Sequence, residues 1–189
     1  CFLRGKVAVL FDKYTTELDL NTMILCIDEK NQEVSKLPEL ISTWVHRTHG
    51  REPAERATRT CSMLLCLTKC DTLFDRKAGA TPELTVQNRL DQNLKYLGRW
   101  VSDWDEQGPF RNVFFLRNPD HERHDLFAYG DQGETALRQD ADAWIRATRA
   151  AFLANKLVER HVPDATDKWN ALMALNDGGV SLLAERLGP

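Results

Sequence analysis

The chain has 189 residues, and its 25 basic and 28 acidic side chains leave a formal net charge of −3. That length suits one large domain, or one domain with a small appendage. The charges are mixed, with no block of Lys and Arg to release counterions, which argues against a nucleic-acid surface, and no apolar run approaches the length of a membrane span.

Five cysteines make an odd number, and none form a Cys-x-x-Cys pair. Cys61, Cys66 and Cys70 do not match a zinc spacing. Cys26, Cys61 and Cys66 lie in or beside apolar runs, where a thiol behaves as a small hydrophobe. A reducing, cytoplasmic setting is the reading that follows. No signal peptide is recognisable, and the first residue is Cys1 rather than methionine, so an upstream part of the same chain is expected to precede it.

In chain order, Leu3, Val7, Leu10, Phe11 and Tyr14 repeat at helical spacing and predict an amphipathic helix over 2–18, although the stretch KVAVLF also permits a strand. TMILCID, residues 22–28, reads as a buried strand. Ser35 offers an N-cap to a helix whose apolar face is Leu37, Leu40, Ile41, Trp44 and Val45, with Gly50 as its stop. His46 and His49 fall near its C-terminus, where the helix dipole suits histidine. Residues 51–60 read as a charged connector. Met63 to Leu67 are five consecutive apolar residues, the signature of a strand covered on both faces.

Thr81-Pro82-Glu83 is a helix start: a capping hydroxyl, proline at the first helical position, then an acid. Leu90, Leu94, Leu97, Val101 and Trp104 continue it to a stop at Gly108-Pro109. NVFFL, residues 112–116, predicts a third strand. Residues 119–133 read as a polar loop, and a long helix is predicted from about 134 to 160, ended by Pro163. Two short amphipathic helices, about 167–176 and 180–187, are divided by Asp177-Gly178-Gly179.

Strands alternating with helices imply βαβ units. The predicted class is therefore α/β: a three-layer parallel sheet with flanking helices over 1–162, and a small helical extension over 163–189. The three strands are expected to lie parallel and adjacent.

Just past the strand at 63–67 comes Thr68-Lys69-Cys70-Asp71. A [Asn/Thr]-Lys-x-Asp tetrapeptide at the C-terminal edge of a parallel sheet, where ligands bind, resembles the guanine-reading motif of P-loop GTPases. The chemistry explains the residue types. An aspartate edge-on to guanine accepts two parallel N–H bonds, from N1 and the N2 amine, which adenine does not offer. The lysine lays its stem over the base and keeps its ammonium wet. Thr68 replaces the usual asparagine and loses the amide that would brace a phosphate loop. The plainer alternative is a strand-to-helix turn in which Asp71 only caps local amides. A base-reading Asp71 calls for a carboxylate exposed beside Lys69, its oxygens free of neighbouring amides.

FLRGKVAVLFDKY, LLCLTKCDTLF and WNALMALNDGGVSLLAERL together resemble the bacterial virulence-factor family of the SrfC type, large proteins with an N-terminal GTPase-like region. The resemblance touches both ends and the middle of the chain. It implies a P-loop GTPase-like fold, of which this chain matches the latter half, with GTP or GDP and Mg bound in the full protein. Only Thr68, Lys69 and Asp71 fit positions of a known motif. The last guanine-contacting loop of GTPases would fall at Arg117-Asn118-Pro119, whose residues do not match Ser-Ala-Lys. No Gly-Lys-Ser or Gly-Lys-Thr occurs, so the chain by itself is expected not to hydrolyse GTP and to hold no cofactor.

Other candidates read more plainly. His121, Glu122, His124 and Asp125 have the types for a divalent metal but lie in a predicted loop without a third ligand at helical spacing, and read as a polar turn. Trp100 and Trp104, one turn apart, read as core rather than as an aromatic platform. Asp12, Asp28 and Asp75 become catalytic carboxylates only if folding pairs two of them. The competing function is a non-enzymatic interaction module, with the sheet as scaffold and the helical tail binding a protein partner.

Overall fold

The computed structural model describes residue 13, residues 22–30 and residues 36–188. The predicted helix over 2–18 and the Ser35 cap fall outside these residues, apart from Lys13.

The strands form where the apolar runs stand. β1 (Met23–Ile27), β2 (Met63–Leu67) and β3 (Val113–Phe115) make one parallel sheet in that order, with Cys26 opposite Cys66 and Leu65 opposite Val113. Consecutive strands joined by helical crossovers are adjacent, as the βαβ pattern requires. Every residue of β2 is buried, because it is central and covered on both faces. β1 alternates: Leu25 and Ile27 point into the core, while Ile24 is 43% exposed.

One sheet face carries Leu25, Ile27, Met63, Leu65, Leu67, Val113 and Phe115 into the main core. Helices α1 (Leu37–Thr48), α3 (Pro82–Leu94) and α5 (Gln139–Leu153) pack there through Trp44, Val45, Val86, Leu90, Ile145 and Phe152. α7 (Ala165–Met173) adds Trp169 and Leu172 to the same core. The other face, Leu64, Cys66 and Phe114, is met by Leu182 and Leu183 of α8 (Val180–Leu187). The tail is thus docked onto the sheet, leaving Val180 and Leu187 about half exposed at 53% and 47%. Trp100 and Trp104 are core, 4% and 5% exposed, stacked edge-on against each other and against Phe110.

Several local expectations are corrected. Residues 51–60 are more than a charged connector: α2 (Pro53–Ala57) starts on a proline and a capping box of Glu52 and Glu55. Its Arg56 is buried, donating to Asp103 O at 2.7 Å, Gly50 O at 3.1 Å and the carbonyl of Trp104. Buried arginine is satisfied here by carbonyls alone, which composition does not announce.

The helix from Pro82 stops at Leu94 and gives way to a single 3-10 turn, Lys95–Leu97. Gly98 then takes φ 105°, a left-handed conformation that a side chain resists, before the one-turn α4 (Arg99–Ser102). The Thr81 cap is as read, its hydroxyl accepting from Leu84 N–H at 3.3 Å. The polar loop and the start of the predicted long helix are instead an antiparallel hairpin, β4 (Phe127–Gly130) and β5 (Gly133–Leu137). A two-residue connection between glycines is hairpin chemistry that outweighs the helical spacing of Leu137 and Ala141. The long helix itself divides into α5 and α6 (Lys156–His161), where Asn155 caps the new start by accepting from Leu157 N–H at 2.8 Å.

His49, read as a dipole-favoured histidine, is 1% exposed and tilted between Trp44 and Trp104. Its Nε2 accepts from Ser62 N–H at 3.1 Å, and its Nδ1 lies 2.7 Å from Thr48 Oγ1. Burial pushes its pKa down to about 4, so it stays neutral and carries no charge for the dipole.

Candidate functional site

The tetrapeptide leaves the C-terminal end of the central strand. Thr68 continues the ladder, its N–H and hydroxyl both donating to Ile27 O at 2.8 and 3.2 Å. Its side chain is therefore spent on the neighbouring strand. Lys69 takes φ 56° and ψ 38°, a left-handed conformation uncommon outside glycine, and this turns the chain sharply into a 3-10 turn, Cys70–Phe74. Its side chain is 64% exposed, with the ammonium ion-paired to Asp28 just past β1. That contact holds the Asp28 carboxyl below its usual range. Cys70 is wholly buried, its thiol pushed up to about 11 by burial.

Asp71 is 6% exposed, not the open carboxylate that base reading calls for. Its Oδ2 accepts from the N–H of Asn118, just past β3, at 3.3 Å. Its Oδ1 is buried without any hydrogen-bond partner among the described residues. Arg123 Nη1 donates to Asp71 O at 2.7 Å and lies 3.2 Å from Asp75 Oδ1. Thus the polar segment read for its histidines serves through its arginine. His124 pairs with Glu122 at 2.8 Å and stacks on Tyr129, and no cluster of metal-ligating side chains occurs among the described residues. Asp28 and Asp75 each pair with a cation, Lys69 and Arg123, and not with one another; Asp12 lies outside the described residues.

Two further residues crowd this edge, both from α3 and both absent from the sequence-based candidates. Arg89, 2% exposed, donates to Thr68 O and lies 3.5 Å from Glu29 Oε1, yet its Nε has no hydrogen-bond partner among the described residues. Asn93, 1% exposed, donates to Asp28 O at 2.9 Å and leaves its Oδ1 without one. In the sequence they are only two polar residues four apart, beside the apolar face of Val86, Leu90 and Leu94, a pattern common to any helix surface. A cavity of about 200 Å3 opens beside Arg89, Thr72 and Glu29. Buried polar atoms without partners are costly, and three side chains at this sheet edge carry them among the described residues.

Arg117, 1% exposed at its side chain, turns away from that edge. It is forked onto the buried carboxylate of Glu134 on β5, stacks 4.4 Å over Phe127, and donates to Leu172 O and Ala174 O at 2.8 Å each. Of the segment 117–119, the Asn118 N–H hydrogen-bonds Asp71 Oδ2.

Fold and site together define an α/β protein with a narrow parallel sheet and a polar edge at the strands' C-terminal ends. The chain belongs to the family described as "Putative bacterial virulence factor", whose model matches residues 1–189. No curated protein and no solved structure matches it.

Proposed function

We propose that this chain supplies the base-reading edge of a guanine-nucleotide-binding, P-loop GTPase-like domain in a virulence factor of the SrfC type. One observation carries the reading: the orphaned Oδ1 of Asp71 at the C-terminal edge of the parallel sheet. An unpaired buried acceptor costs about 1–3 kcal/mol, and guanine brings the two parallel donors that a carboxylate takes edge-on. The sequential order of the three strands, with Thr-Lys-x-Asp directly after the middle one, supports the same reading. So does Lys69, whose exposed stem is free to lie over a base while its ammonium holds Asp28.

Because Asp71 is buried, reading a base with both carboxylate oxygens requires its surroundings to open and Asn118 N–H to release Oδ2. The fit is to the base alone. No Gly-Lys-Ser or Gly-Lys-Thr occurs in the chain, so the phosphate-loop contacts to the nucleotide are not supplied by this motif.

Calorimetry on the full-length protein tests the reading. Asp71→Asn exchanges an acceptor for a donor at nearly constant shape. It is expected to weaken GTP and GDP binding by about 1–3 kcal/mol and to gain affinity for xanthosine triphosphate, whose C2 carbonyl accepts from an amide. Full GTP affinity in Asp71→Asn, with no gain for xanthosine triphosphate, refutes the proposal and leaves Asp71 as a turn-forming residue.

A further inference from the structure

At the opposite end of the sheet lies a cavity of about 580 Å3, between the start of β3 and helices α7 and α8. Its apolar wall includes Trp104, Phe110, Phe114 and Leu182. Lys168 of α7 reaches into it. The residue is only 8% exposed, and its ammonium stands 4.9 Å over the Phe114 ring. Among the described residues no carboxylate or carbonyl comes within hydrogen-bonding distance of that ammonium, so its partner is an aromatic face. Desolvating an ammonium that no anion contacts directly costs free energy, and this one faces the cavity.

Two more cations line the cavity, Arg111 before β3 and Arg186 on α8, and neither guanidinium is ion-paired among the described residues. Three acids, Asp164, Asp167 and Glu185, also line it; they and both arginines are exposed, where water screens them. Asp105 is occupied, its Oδ1 accepting from the N–H groups of Gln107 and Gly108. The buried charge is therefore positive and the rim is mixed. Burial lowers the Lys168 pKa to about 8; Asp164 opposes the shift, whereas Arg186 and Arg111 add to it.

We propose that this cavity binds a small amphipathic anion, its carboxylate or phosphoryl head pairing with Lys168 and its apolar body lying against Phe114, Trp104 and Leu182. Apolar walls with a few convergent polar groups are the usual make-up of a small-molecule pocket. The site is remote from Asp71 and independent of nucleotide binding there.

The test uses the purified protein with three probes: octanoate, octyl phosphate and inorganic phosphate. At least one of the two amphipathic anions is expected to bind saturably, and the tighter one names the head group. It should also move the Lys168 ε-carbon NMR titration to higher pH, a readout that a purely structural lysine would not give. Lys168→Met keeps the stem without the charge, so it should stay folded by circular dichroism and bind that anion about tenfold or more weakly. Absence of saturable binding by either anion overturns the proposal. So does equal binding by Lys168→Met, or inorganic phosphate binding as tightly as the amphipathic probes.

Discussion

Replacing Glu134 with alanine strips a buried guanidinium of its anion. The Glu134 carboxylate accepts from Arg117 Nη1 and Nη2 and, at 2.8 Å, from Asn176 N–H, while the backbone of Glu134 exchanges two more bonds with the Asn176 side chain. Both partners of the ion pair are 1% exposed at the side chain, so solvent does not screen the loss. Only the carbonyls of Leu172 and Ala174 and the Phe127 ring remain for Arg117. Breaking such a pair costs about 3–5 kcal/mol, a large share of the 5–15 kcal/mol typical of a whole domain. Urea unfolding at neutral pH should therefore show a much lower midpoint at an unchanged slope. Glu134→Gln keeps shape and loses charge, and should fall between wild type and alanine. Arg117→Met combined with Glu134→Leu removes the orphan and should recover much of the loss, because apolar replacement of a buried pair is often neutral. A loss below about 1 kcal/mol in Glu134→Ala refutes the claim that this contact holds the hairpin and the tail to β3.

His49 gives the fold a pH limit. Because burial lowers its pKa from 6.5 to about 4, the unfolded chain takes up the proton first as pH falls. Its contribution, on the order of 3 kcal/mol, is complete above pH 6.5 and lost progressively down to about pH 4. His161, lowered in the same direction by burial, adds to the slope, so His49→Gln should flatten the urea midpoint between those pH values without abolishing its fall; an identical slope in the variant sinks this account. Gly179 takes φ 97°, and an added Cβ would stand 2.5 Å from Phe115 O. Gly179→Ala should lower the melting temperature by several degrees and loosen α8 in hydrogen exchange, and a variant as stable as wild type would contradict the close approach.

How much of this was legible in the sequence varies with the physics of each segment. β2 was plain because a strand covered on both faces is a continuous apolar run, and Thr81-Pro82-Glu83 was plain because capping is local chemistry. Trp100 and Trp104 were rightly read as core. The hairpin of β4 and β5 was not legible: Leu137, Ala141 and Ile145 keep helical spacing across a boundary that tertiary pairing decides. Gly98 was passed over because apolar residues at helical spacing continue on both sides of it, Leu94 and Leu97 before and Val101 and Trp104 after. At the candidate edge, Thr68, Lys69 and Asp71 were singled out by their motif after the apolar strand. Arg89, Asn93 and Arg123 were missed, since their roles arise only when α3 and the segment after β3 are brought onto the edge. The burial of Asp71 was equally invisible, because its cover comes from residues 47 and 52 positions further along the chain.

The docking of α7 and α8 has a consequence for synthesis. Among the described residues, Leu64, Cys66 and Phe114 take helical cover from Leu182 and Leu183 of α8 and Lys168 of α7, and the main core lacks Trp169 and Leu172 until α7 is made. Arg117 likewise waits for the carbonyls of Leu172 and Ala174. As the chain leaves the ribosome, β1 to β3 are made by Phe115, yet the cover that α7 and α8 bring follows only after several dozen more residues. At elongation rates of about 5–20 residues per second that interval lasts seconds, long enough for a nascent sheet to meet another one. Truncations before Val180 should therefore aggregate during translation rather than unfold after it.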